Sequence, residues 1–202
     1  MKNSKSLIPD LKELGLLMLG FLPWMLFLFL SGHTMTSLKI AIVISLVATF
    51  TLGFGDLKRG FILSWGTLIF FLLCLIMVDF LNNEWLAREM DLVSNVSLAT
   101  IMWFTVLIGK PFALQYAQRG MPKERWNDAG FIRGCRFITI VWACLMTFAV
   151  LISILRRTTW LPFPSWVYFD LTLLNIVVGL TYNTIFKRKK RLQRELANTN
   201  SI

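Results

Sequence analysis

An all-α polytopic membrane protein, a bundle of six transmembrane helices, is the fold this sequence predicts, and three observations predict it. Of 202 residues, 56% are hydrophobic and only 16% are charged, against about a quarter charged in soluble domains. Apolar blocks of 18 or 19 residues without a formal charge recur at 14–31, 61–78, 92–109 and 137–155. About 20 helical residues cross a hydrocarbon core of about 30 Å. The third observation is the placing of the basic residues, which fall mostly on one side of the chain so threaded.

Each span has its own justification. The first, about 14–31, follows Lys2, Lys5 and Lys12 but is too long for a signal-peptide core, and SGHTMTSLK after it offers no small-x-small cleavage site. A retained span is expected, with Pro23 interrupting its hydrogen-bond ladder and bending it. The blocks 40–55 and 171–186 are shorter; extended to about 38–55, with Lys39 snorkelling, and to 167–186, they complete the set. The remaining spans are 61–79, 92–109 and 137–155. Residues 1–186 thus form one six-span domain with a loop at 110–136, followed by a basic tail at 187–202.

Six spans place both termini on one side. That side holds 17 of the 21 Lys and Arg residues; the other holds Lys39, Arg88, Arg156 and Arg157. The imbalance predicts cytoplasmic termini by the positive-inside rule, and a bacterial inner membrane as the location. The net charge of +10 is thereby explained without a nucleic-acid partner. On the opposite side, joint 79–91 is net acidic. The joint RRTTWLPFPSWVYFD reads as an interfacial elbow, with Trp160, Trp166 and Tyr168 at headgroup depth and Pro162 and Pro164 breaking the helix.

Signs of catalysis are sparse. His33 is the one histidine, and Cys74, Cys135 and Cys144 form no C-x-x-C pair. No nucleophile elbow, phosphate loop or metal-ligand pair is present, so a non-enzyme without cofactor or metal is expected. Deep in the spans lie only neutral polar groups: Ser45, Thr49, Ser64, Thr67, Thr100, Thr105, Asn175 and Asn183. These suit back-bonding and helix-to-helix stitching, and Asn175 most needs a partner.

The loop between spans four and five is the candidate working surface. Lys110 and Pro111 end span four, and Phe112, Tyr116 and Arg119 then fall at i, i+4 and i+7 of a short helix stopped by Gly120 and Pro122. A second short helix is expected from Pro122, with Arg125 beside its anchor Trp126. Alternating aromatic and cationic residues predict a short amphipathic segment lying in the interface against anionic headgroups. Lipid is a nearer anion than nucleic acid for a loop tethered to the bilayer.

The order of several short motifs resembles that of the intracellular septation protein A family of bacterial inner-membrane proteins. The pieces are Phe21-Leu22-Pro23, Gly66 to Phe71, Lys110-Pro111, Pro122 to Trp126, Val141 to Ala143, and the elbow from Trp160 to Phe169. The resemblance implies a non-enzymatic multi-pass protein of cell-envelope biogenesis, septation or membrane homeostasis, acting through other envelope membrane proteins. The alternative is a small transporter or flippase for a small molecule, ion or lipid, working alone or as a homo-oligomer. Pro23, Asn175 and the intramembrane hydroxyls motivate it.

Overall fold

Apolar residues at a spacing of three or four put one stripe of each helix inward, and here the outward faces are apolar too. In α2, Met35–Leu52, the buried stripe is Leu38, Ala41, Ile42, Ser45, Ala48 and Thr49, while Val43, Val47 and Phe50 lie exposed on the other side. A helix apolar all round is at home in hydrocarbon. The computed structural model describes residues 20–32, 34–120 and 123–157, with 174, 177–179 and 181. Among these residues the chain is all-helical, without strands. Four of its helical segments are long and apolar enough to cross a membrane: Met35–Leu52, Ile62–Phe80, Met90–Leu107 and Ala129–Leu155. The protein is a membrane-embedded helical bundle. The elbow beyond Arg157, the tail, His33, Pro122, Asn175 and Asn183 lie outside the described residues.

The shorter α1, Gly20–Leu30, sets Phe21, Trp24 and Phe27 on one buried face. α2 opens with a reciprocal capping box: Ser37 N–H donates to Thr34 Oγ1 at 3.1 Å, and Thr34 N–H donates to Ser37 Oγ at 3.3 Å. Between α2 and α4, Ile62–Cys74, the tight joint contains a single-turn helix, α3, Phe54–Lys58. α4 widens into a π-helical stretch at Leu75–Phe80. α5, Glu84–Arg88, leads into α6, Met90–Leu107, and α7, Phe112–Ala117, occupies the loop before α8, Ala129–Leu155.

Two glycines end helices in the same way. Gly60 and Gly109 both have φ of +72°, and each supports a Schellman turn. Phe61 N–H donates to the Asp56 carbonyl, and Lys110 N–H to the Thr105 carbonyl, both at 3.0 Å. These turns reverse the chain at the end of the bundle that carries α7. α5 marks the opposite end.

Span limits differ modestly from the sequence expectation, except at α8. Its 27 residues make about 40 Å of helix, eight residues longer at the start than 137–155. Asp128 caps it, accepting from Gly130 N–H at 2.8 Å, and its first turns bury Gly134 and Cys135 while Arg133 and Arg136 stay exposed. The expected separate helix from Pro122 is replaced by a 3-10 turn at Lys123–Arg125 and the start of α8.

α4 packs between α2 and α6, and α8 lies against α6 and α7. The core is aromatic: Trp24 stacks on Phe70 at 4.9 Å and leans on Phe71, which also meets Phe27. Hydroxyls behave as expected, with Thr49, Thr67 and Thr100 each bonding the carbonyl four residues back. Others stitch helices: Trp24 Nε1 donates to Thr67 Oγ1 at 2.9 Å, and Trp103 Nε1 to Thr147 Oγ1 at 3.1 Å.

Phe71→Ala removes a fully buried ring and should cost about 3–5 kcal/mol, seen as a lower melting midpoint in detergent. Phe148→Ala, on an outward face, should leave that midpoint nearly unchanged.

Candidate functional site

The loop segment expected to lie on the bilayer is folded into the bundle. The first N–H groups of a helix have no intrahelical partner, and those of α7 find acceptors on two neighbouring helices. Thr105 Oγ1 accepts from Phe112 N–H and Thr139 Oγ1 from Ala113 N–H, both at 3.3 Å. Gln115 binds the start of α4, accepting from Ile62 N–H at 3.0 Å, and returns a bond to the Lys110 carbonyl at 2.9 Å. So supported, Pro111, Phe112 and Tyr116 are almost wholly buried. Phe112 meets Phe21 edge-on at 5.7 Å, and Tyr116 meets Phe61 at 5.1 Å.

Arg119 turns inward as well. It pairs with Asp56 of α3, which is only 5% exposed, and its guanidinium lies 4.8 Å from the Phe61 ring centroid and 5.5 Å from that of Tyr116. Burial draws the Arg119 guanidinium down from its ordinary value. It also pushes the Tyr116 phenol up, which the hydrogen bond with Ser64, at 3.3 Å, partly opposes. The α7 end of the bundle is therefore sealed by aromatic rings and one buried ion pair.

This corrects the amphipathic-surface expectation for Pro111, Phe112, Tyr116 and Arg119, which belong to the interior. Their helical spacing is the same for either burial, and hydroxyls on α6 and α8 decide between them. Lys110 is exposed and Trp126 half-buried. The backbone of Arg125 lies in the 3-10 turn. Pro122 and Asn175 are outside the described residues. Cys135 is buried in α8.

The opposite end holds what the sequence did not reveal, a cavity of about 1110 Å³ among α1, the start of α2, α5, α6 and α8. Its floor is Phe21, Trp24 and Trp142, with Phe21 stacked on Trp142 at 5.4 Å. The Trp142 indole N–H is buried without a hydrogen-bond partner. Leu98, Met146 and Ile152 continue the apolar wall, and Ser94, Asn95 and Ser153 form a polar tier above it. There Asn95 Nδ2 donates to Ser153 Oγ at 2.9 Å. At the mouth stand two opposite-charge pairs, Glu84–Arg88 at 3.7 Å and Asp91–Arg156 at 3.8 Å. A hint was present in the sequence, since Asp91, Ser94, Asn95 and Leu98 share a face of α6, but a void is set by what several helices jointly leave unfilled.

The chain matches no protein-family model, no curated protein and no solved structure.

Arg119→Met leaves the Asp56 carboxylate buried without its counter-charge and should cost about 3–5 kcal/mol. The double change Asp56→Leu with Arg119→Met should recover most of that loss, both measured as melting midpoints in detergent. Tyr116 gives a pH signature. Its folded pKa lies above the ordinary 10, so its contribution is complete below about pH 10 and is lost as pH rises through the folded value. Tyr116→Phe should flatten that alkaline decline in a pH series of melting midpoints.

Proposed function

We propose that this chain is a non-enzymatic bacterial inner-membrane protein that takes up an amphiphilic molecule, in a binding or transport role within envelope maintenance. One observation carries the reading: a cavity of about 1110 Å³ opens at the α5 end while α7 and the Asp56–Arg119 pair close the other. Pockets at helix interfaces are where bundle proteins hold ligands, and transporter sites commonly lie near the bilayer midplane. Trp142, at the floor, stands midway along α8. The excess of basic residues on the α7 side supports cytoplasmic termini, which turns the mouth toward the periplasm.

A second reading is favoured by the exposed cations of the α7 end, Lys58, Arg59, Lys110, Lys123, Arg133 and Arg136. Each near the surface is attracted to anionic lipid by about 1 kcal/mol. This basic face suits a scaffold that holds envelope membrane proteins at an anionic leaflet, the role implied by the resemblance to the septation protein A family.

Proteoliposomes test the first reading. With head-labelled lipids and amphiphilic dyes as cargo, the wild type should move or sequester at least one of them, and Met25→Trp, which narrows the cavity, should abolish it. Equal behaviour of the two proteins toward every cargo would refute the cavity reading. Neutralising Lys58, Arg59 and Lys123 together should instead weaken co-sedimentation of the protein's loop face with anionic vesicles, the outcome the second reading requires.

A further inference from the structure

We infer that the occupant of the cavity is a zwitterionic glycerophospholipid, its head bearing a phosphate and an ammonium and its chains lying in the apolar chamber. The assignment rests on the cavity reading above and adds the ligand class. Size comes first. Pockets for drug-sized ligands span about 300–1,000 Å³, and this one, at about 1110 Å³, exceeds that range. Depth agrees, since Arg156 at the mouth is 14 residues beyond Trp142 at the floor, or about 21 Å of helix, most of a hydrocarbon core of about 30 Å. A long apolar body is needed to fill that length.

The order of polarity along the walls then matches this class of lipid. Charged groups occur at the mouth: Glu84, Arg88, Asp91 and Arg156. Roughly one helical turn deeper come Ser94, Asn95 and Ser153, hydroxyl and amide groups at the level where ester carbonyls follow a phosphate head. Below them the lining is aliphatic and aromatic. A saturated chain gives the Trp142 indole N–H no acceptor, so the desolvation cost of that buried donor is left uncompensated by this occupant.

The charge at the mouth selects the head group. Among the described residues the mouth carries two guanidinium and two carboxylate groups, and the Glu84–Arg88 pair is wider than a hydrogen bond, at 3.7 Å. Glu84 and Arg88 are also largely exposed, with side chains 78% and 77% accessible. Such a mouth offers Arg88 to a phosphate and Glu84 to an ammonium together. A purely anionic head would meet Glu84 and Asp91 as like charges, which complementary interfaces avoid.

Native mass spectrometry of the full chain decides the matter. The protein is equilibrated with phosphatidylethanolamine, phosphatidylglycerol and diacylglycerol of identical chains. One phosphatidylethanolamine should be retained over the other two by roughly tenfold. Retention should fall in Leu28→Trp and Met25→Trp, whose new rings enter the cavity from the partly buried face of α1. Asp91→Asn with Glu84→Gln should reduce the preference over phosphatidylglycerol while leaving the melting midpoint unchanged. If phosphatidylglycerol or diacylglycerol is held equally well or better, and is lost in the Trp variants, the zwitterionic assignment fails while the cavity reading stands. If no lipid responds to either Trp variant, the cavity reading fails with it.

Discussion

Satisfaction of backbone donors inside the bundle is the constraint from which the rest of this structure follows. An N–H without a partner in an apolar surrounding costs several kcal/mol, so a short helix cannot be folded into a bundle unless something accepts from its first turn. Thr105 and Thr139 do this for α7. Each also bonds a carbonyl of its own helix, at 2.7 Å to Met102 and 3.0 Å to Cys135, so the hydroxyl proton is occupied and the oxygen is left to accept. That orientation turns two ordinary span residues into a socket for Phe112 and Ala113.

With α7 seated, the neighbouring features are forced into place. Tyr116 is brought to Ser64 and against Gly20, where a Cβ would collide with the phenol hydroxyl. Arg119 is carried to Asp56, and a buried carboxylate on a one-turn helix becomes tolerable. The pair adds little net stability, because desolvation offsets most of the attraction. Its effect is to exclude alternatives, since neither partner has another counter-charge of matching geometry among the described residues, whereas aromatic packing alone would admit several registers.

How much of this was legible in the sequence divides along the same line. The spans were, because an apolar run without charge is a local property: 61–79 was expected and Ile62–Phe80 is found, and 92–109 corresponds to Met90–Leu107. Their ends moved where caps act, at Thr34 and at Asp128, the latter extending α8 past Arg136 and Arg133. The six-span count reaches into residues outside those described. The fate of Phe112, Tyr116 and Arg119 was not legible, because an aromatic-cationic face suits a bilayer and a bundle interior equally. The residues that decide it are seven and 26 positions from the N–H groups they accept from. The cavity was less legible still, since α1, α6 and α8 each have an unremarkable pattern and only their mutual spacing leaves room.

The sealed end and the open end are not independent, and Phe21 is the reason. Its ring is edge-on to Phe112 at 5.7 Å and stacked on Trp142 at 5.4 Å, so one side chain borders both the seal and the chamber floor. Gly20, beside it, holds α1 close to Tyr116. Interiors are packed too densely to deform continuously, so withdrawing α7 would remove the support beneath Phe21 and with it one face of the Trp142 stack. A molecule settled on that floor would in turn load the same ring from above. The closed end of this bundle and the shape of its cavity are therefore set by one shared contact rather than by two separate ones.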